Sequence, residues 1–190
     1  MNEYISRYIE QQKAALESIP VDDVARLVLL FQKALQDDRQ IFVFGNGGSG
    51  TNASHFVTDL GKSASDKMYR RFRCLSLSDN VSWITAIGND YAYDDVFLRQ
   101  LQNYARAGDL VMVMSVSGSS PNLVKAVDWC NEKNIQTIAL LGGKKGPLAT
   151  LAANVIVIDD VHYGRVEDCH MHICHMICYA FIEEKALQQP

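Results

Sequence analysis

Short apolar runs alternate along the chain with longer stretches in which apolar residues recur every three or four positions. Runs rich in β-branched, aliphatic and aromatic residues and bounded by Gly, Asn or Asp read as buried strands. Five such runs occur: Ile41–Phe44, Phe72–Leu77, Leu110–Ser115, Ile135–Leu141 and Val155–Ile158. The periodic stretches read as helices. The first, Asn2–Ser18, carries Ile5, Ile9 and Leu16 on one stripe and is interrupted at Pro20; the second, Asp22–Leu35, carries Val24, Leu27, Val28, Phe31 and Leu35. Further helices are expected after the glycine cluster, ending near Gly61, over Asn80–Ile87 (closed by Gly88-Asn89-Asp90), over Asp94–Ala107 (stopped by Gly108), from Pro121 to Lys133, around Pro147–Ala153, and over Arg165–Leu187. Lys62–Arg71 is polar and basic and reads as a loop. Strand alternating with helix predicts an α/β fold whose parallel sheet is covered on both faces, with ligands bound at the carboxyl ends of its strands. Residues 1–37 put two helices ahead of the first strand, more than one sheet face needs, so they are expected to contact a partner subunit. No repeat, linker or low-complexity segment divides the chain, and 1–190 reads as one domain.

Composition narrows the function. The net charge is −4 and no stripe of Lys and Arg appears, so nucleic-acid binding is not expected. Met1–Tyr8 contains Glu3 and Arg7 and no apolar core of a signal peptide, and no membrane span is visible, so the expected address is cytoplasmic. The five cysteines are an odd number without a secretion signal, which points to reduced thiols. Cys169, Cys174 and Cys178 fall near His170, His172 and His175, but no C-x-x-C pair occurs, and cysteine on an apolar helix face is ordinarily core.

The candidate chemistry gathers at two strand–turn–helix corners. In Ile41–Leu60 the strand stops at Gly45-Asn46-Gly47-Gly48, where missing Cβ atoms let backbone approach a ligand. Ser49, Thr51 or Asn52 is expected to cap the next helix, whose free N–H groups favour an anion, phosphate above all. Gly45, Gly47 and Gly50 also satisfy G-x-G-x-x-G, which leaves a dinucleotide site as a second possibility; the acidic residue expected about 20 positions on is missing, Asp79 lying farther away. The second corner, Ser115-Val116-Ser117-Gly118-Ser119-Ser120, offers hydroxyls and helix-start amides in the same geometry, with Ser120 as cap. Two corners on neighbouring strands suit the two ends of one phosphorylated ligand, whereas a dinucleotide has no use for the second. His55 and Asp59, four apart on the first site's helix, share a face and could act as metal ligands or as an acid–base pair. The last helix adds Glu167, Asp168, His170, His172 and His175.

At these residues the chain resembles the SIS (sugar isomerase) domain family, and within it the bacterial phosphoheptose isomerases. The matching pieces are Gly45–Ser49, His55-Phe56, Ala86–Tyr91, Gly108-Asp109, Ser115–Ser120 and the His170/His175 pair. The resemblance implies a five-stranded parallel sheet in a flavodoxin-like three-layer sandwich. It also implies a homotetramer with sites between subunits, and an aldose–ketose isomerisation of sedoheptulose 7-phosphate through an enediol. By position, Asn46, Gly47, Gly48, Asn89, Asp90, Ser115, Val116, Ser117 and Ser120 match the family's substrate contacts, and Ser49, Asp59 and Glu167 complete the candidate substrate set. The family's zinc ligands fall on His55, Asp59, Glu167 and His175, and its acid–base pair on Asp59 and His175. The chain departs from the pattern at Asp59 (Glu in the family), Glu167 (Gln), Val116 (commonly Thr) and Gly164 (commonly Asp). The alternative within the family is a protein without catalysis that binds a phosphosugar or assists the replication initiator.

Overall fold

The computed structural model describes residues 1–189; Pro190, the last residue of the expected domain, lies outside them. Five strands, β1 (Gln40–Gly45), β2 (Arg73–Ser76), β3 (Leu110–Ser115), β4 (Gln136–Gly142) and β5 (Asn154–Ile158), form one parallel sheet in the order β2-β1-β3-β4-β5. Register pairs Phe44 with Val113 and Val113 with Ala139. Because side chains alternate along each strand, the apolar runs divide between two cores. Ile41, Val43, Met112, Met114, Ile138 and Leu140 face α1 (Asn2–Glu17), α2 (Val21–Gln36), α3 (Gly48–Thr58) and α8 (Tyr163–Glu183). Phe42, Phe44, Val111, Val113, Ala139 and Leu141 face α4 (Val81–Asp90), α5 (Leu98–Tyr104), α6 (Pro121–Glu132) and α7 (Leu148–Leu151). The result is the expected three-layer α/β sandwich. The chain leaves β1 toward β2 on one side and returns to β3 on the other, so the crevice between β1 and β3 is where strand order switches, the place such sheets bind ligands.

Several expected boundaries shift. Residues 62–64 are not loop: after α3 the chain continues as a π-helical turn, Asp59–Ala64, closed by the Ser65 N–H and hydroxyl on the Leu60 carbonyl. The stretch expected as one helix over Asp94–Ala107 is a 3₁₀ turn (Tyr93–Asp95) followed by α5, and the expected turn at 88–90 is the last part of α4. The long last helix ends at Glu183, with a separate 3₁₀ turn at Lys185–Leu187. Among the described residues no helix is long and apolar enough to cross a membrane.

On α8, Val166, Cys169, Ile173, Cys174, Ile177, Cys178 and Phe181 are buried in one stripe. The three cysteines are therefore core. Burial pushes the Cys169 thiol up to about 11, with Gln12 pulling it down, and raises Cys174 and Cys178 as well, so none is a thiolate ready to bind a metal at neutral pH. Gly108-Asp109 has a structural task. The buried Asp109 carboxylate accepts hydrogen bonds from the Gln40 N–H at 3.0 Å and the Arg106 N–H at 2.8 Å, tying the starts of β1 and β3 together. Asp109→Ala strands both N–H groups and is expected to lower unfolding free energy by about 1–3 kcal/mol. Urea denaturation checks this, and a midpoint equal to that of the unchanged protein contradicts it.

Candidate active site

The site is built on α3 and α8, which pack side by side. The turn before α3 is turned sharply at Gly47 (φ +53°), and no side chain caps the helix: Ser49, Thr51 and Asn52, the expected caps, lie inside it. The group at the helix start comes from α8. The Glu167 carboxylate lies over Gly48, where a Cβ would push it aside. Asn52 Nδ2 donates to the Glu167 carbonyl at 2.8 Å and holds the two helices in register. The amides read from sequence as a phosphate seat therefore already face an internal anion. Burial raises the Glu167 pKa and neighbouring Asp168 adds to it, while the Ser49 N–H and hydroxyl, turned toward the carboxylate, favour its ionised form.

The second corner is free. Ser120 stands at the N-cap of α6 but its hydroxyl makes no capping bond, so it and the first amides of α6 can face a ligand. Ser115 Oγ accepts from the Gly118 N–H at 3.0 Å and Ser117 Oγ from the Ser119 N–H at 3.3 Å, which fixes the loop's curl. Gly118 has φ +65°, and a Cβ there would meet the Lys145 carbonyl at 1.8 Å, so the curl requires glycine. Both corners open on one cavity of about 230 Å³ lined by Asn46, Ser49, Ser115, Val116, Ser117, Ser120 and Glu167. The cavity thus has serine hydroxyls on one side and the Glu167 carboxylate among its lining. A cleft of about 240 Å³ at the opposite end of the sheet, lined by Lys33, Arg39, Gly108 and Gln136 among others, gathers neither imidazole nor hydroxyl.

At the far end of α3, His55 Nε2 lies 3.3 Å and His175 Nε2 3.5 Å from the same Asp59 oxygen, Oδ2. The two rings stand edge to face, 5.2 Å apart. One ligand atom from each of the three lies within 4.8 Å of the others. Two imidazoles and a carboxylate suit zinc, and three protein ligands leave a position for substrate, so the residues fit a divalent metal. Glu167, placed with the metal ligands by position, is not with them. It is eight residues before His175, about 12 Å along a helix, and serves the opposite end of α3. The two histidines matched as a pair on α8 also part company. His170 is fully buried and neither ring nitrogen makes a hydrogen bond; burial lowers its pKa to about 4, against a weak pull from the Leu141 carbonyl.

Asn89 and Asp90 sit exposed at the end of α4, with Asn89 Nδ2 donating to Asp90 Oδ1 at 2.9 Å, and line neither the serine cavity nor the triad. Two residues not singled out in the sequence touch the site. Asn122 and Asn46 form a reciprocal amide pair (2.9 and 3.0 Å), and the Tyr93 hydroxyl donates to Asn46 Oδ1 at 2.9 Å. The signal for Asn122 was its place just after the serine corner, at the second position of the helix that Pro121 opens.

The SIS domain family pattern matches residues 3–142. The probable phosphoheptose isomerase of Thermoplasma volcanium is 36% identical over 92% of this chain and 88% of its own length. The phosphoheptose isomerase of Aneurinibacillus thermoaerophilus is 36% identical over 97% and 94%. Among solved structures, a phosphoheptose isomerase from Francisella tularensis superposes with a TM-score of 0.87 at 25% identity, covering 96% of this chain and 98% of that one. The chain thus belongs to the SIS domain family. Within that family its sequence and fold group it with the phosphoheptose isomerases, and it is a phosphosugar isomerase.

Glu167 sets a pH dependence. Its pKa in the folded protein lies above the ordinary value of 4.5, so ionising it costs stability. That cost is absent below the unfolded-state pKa, grows as pH rises, and is complete above the folded-state pKa. Glu167→Gln removes it. The variant is expected to melt higher than the parent at neutral pH, with the gap closing as pH falls through the carboxylate range. A melting-temperature difference that stays constant from pH 4 to 8 contradicts this.

Proposed function

We propose that the protein interconverts sedoheptulose 7-phosphate and a manno-heptose 7-phosphate through an enediol. The observation that carries this is the meeting of His175 and Asp59 at 3.5 Å, on the helix whose other end borders the serine cavity. Ser115, Ser117 and Ser120 seat the phosphate, with Asn46 and Ser49 along the opposite wall; Gly47 borders the neighbouring cavity instead. The phosphate takes the serine seat because Glu167 holds the start of α3 and would repel it there. Asp59 turns Oδ2 to both imidazoles, which leaves Oδ1 to take the proton from the ketose carbon beside the carbonyl and return it to the neighbouring carbon. His175 gives a proton to the carbonyl oxygen as the enediol forms, and takes one from the adjacent hydroxyl as the aldehyde appears. No oxidant is needed, since hydrogen only moves between adjacent carbons and oxygens.

Zinc, or another divalent ion, held by His55, Asp59 and His175 would polarise the substrate oxygens. In one protomer the serine cavity, the triad and Asn89/Asp90 stand apart, which supports sites completed between subunits of a homotetramer. The exposed Tyr4, Ile5 and Ile9 of α1 support the N-terminal helices as the contacts. The cytoplasm is the expected location.

The test is an assay of sedoheptulose 7-phosphate after chelation and again with zinc added. Turnover is expected, restored or raised by the ion, and His175→Ala and Asp59→Asn are each expected to lower kcat by roughly a hundredfold or more. No turnover under either condition contradicts the enzyme and leaves a sugar-phosphate binder.

A further inference from the structure

Asn46 sits in the wall between two cavities, each of about 230 Å³. One is the serine cavity; the other is lined by Thr51, Ser54, Ser78 and Tyr93 among others. An amide side chain there can present either an oxygen or an N–H to a ligand, and the two ends differ little in shape. In the structure Asn46 turns its oxygen to Asn122 and Tyr93 and keeps an N–H over. The Asn46 oxygen receives two hydrogen bonds, from Asn122 Nδ2 at 2.9 Å and from the Tyr93 hydroxyl at 2.9 Å, which fill both its lone pairs. One Asn46 N–H is given to Asn122 Oδ1 at 3.0 Å. What remains is a single N–H. Asn122 is buried (1% exposed) at the second position of α6, so its end of the pair does not wander.

We propose that Asn122 and Tyr93 are positioning residues that hold Asn46 as a fixed N–H donor toward a substrate oxygen. The proposal rests on the isomerase reading above. A donor held ready costs no reorganisation when negative charge develops on an oxygen of the enediol, whereas a freely rotating amide must first be turned. Asn122 also joins the two corners, because Asn46 belongs to the glycine turn after β1 and Asn122 to the helix after the serine loop. Placing Asn46 thereby fixes the spacing between the phosphate seat and the opposite wall. This differs from a packing role, in which the amide pair would only fill space beneath the loops.

A double-mutant cycle separates the two. Asn46→Ala, Asn122→Ala and the double variant are compared for kcat and KM on sedoheptulose 7-phosphate and for the dissociation constant of that sugar phosphate by calorimetry, with thermal midpoints recorded. Asn122→Ala is expected to lower kcat/KM by roughly ten- to a hundredfold, and the double variant to match Asn46→Ala alone, because Asn122 acts only through Asn46. Tyr93→Phe removes one exposed hydroxyl without disturbing packing; it is expected to lower kcat several-fold at an unchanged midpoint. Multiplying losses in the double variant, or full activity in Tyr93→Phe, overturns the proposal. Should the unmutated protein bind the sugar phosphate without turning it over, the isomerase reading fails separately and the same cycle is read in the dissociation constant. If it does not bind at all, both readings fall.

Discussion

The side-by-side packing of α3 on α8 is the constraint from which the site follows. The two helices run in the same direction, so residues early in α8 meet the start of α3 and later ones meet its end. Glu167 reaches Gly48 and Ser49, Asn52 bonds back to the Glu167 carbonyl, and eight residues on His175 meets His55 and Asp59. The rise of a helix over eight residues is about 12 Å, which is why one helix can serve both ends of the other and why Glu167 does not join the imidazoles. Phe56, packed edge to face on Phe31 at 5.4 Å, anchors the same helix to the core next to His55. Asp59 stands at the junction where α3 widens into the π turn, a deformation often found at functional positions.

An internal carboxylate at the start of α3 changes the electrostatics that a glycine-rich turn ordinarily offers. Helix-start amides attract anions, and here the nearest anion belongs to the protein. The start of α6 has no such occupant, and its serine hydroxyls are arranged by the loop's own N–H groups. The two helix starts are thus electrostatically unequal.

Much of this was legible in the sequence, for identifiable reasons. The strands announced themselves because a sheet buried on both faces needs unbroken apolar runs, as in Leu110–Ser115. His55 and Asp59 were readable as a pair because four residues make one helical turn. The Lys62–Arg71 stretch misled because Lys62 and Ser63 look like loop residues, while the π turn is decided by Leu60, Ala64 and Ser65 packing beneath. Pairings between distant segments left no local trace: nothing near Asn46 announces Asn122, and nothing near Gly48 announces Glu167. The equal appearance of His170 and His175 hid their fates, since a step of five residues turns one inward and the other toward Asp59.

The most direct test is a crystal structure of the protein with sedoheptulose 7-phosphate bound. The phosphate is expected on Ser115, Ser117 and Ser120 at the start of α6, with Glu167 still over Gly48 and the carbonyl end of the sugar near an Asp59–His175 pair of the same or a neighbouring subunit. A phosphate found at the start of α3, with Glu167 displaced, would contradict the account.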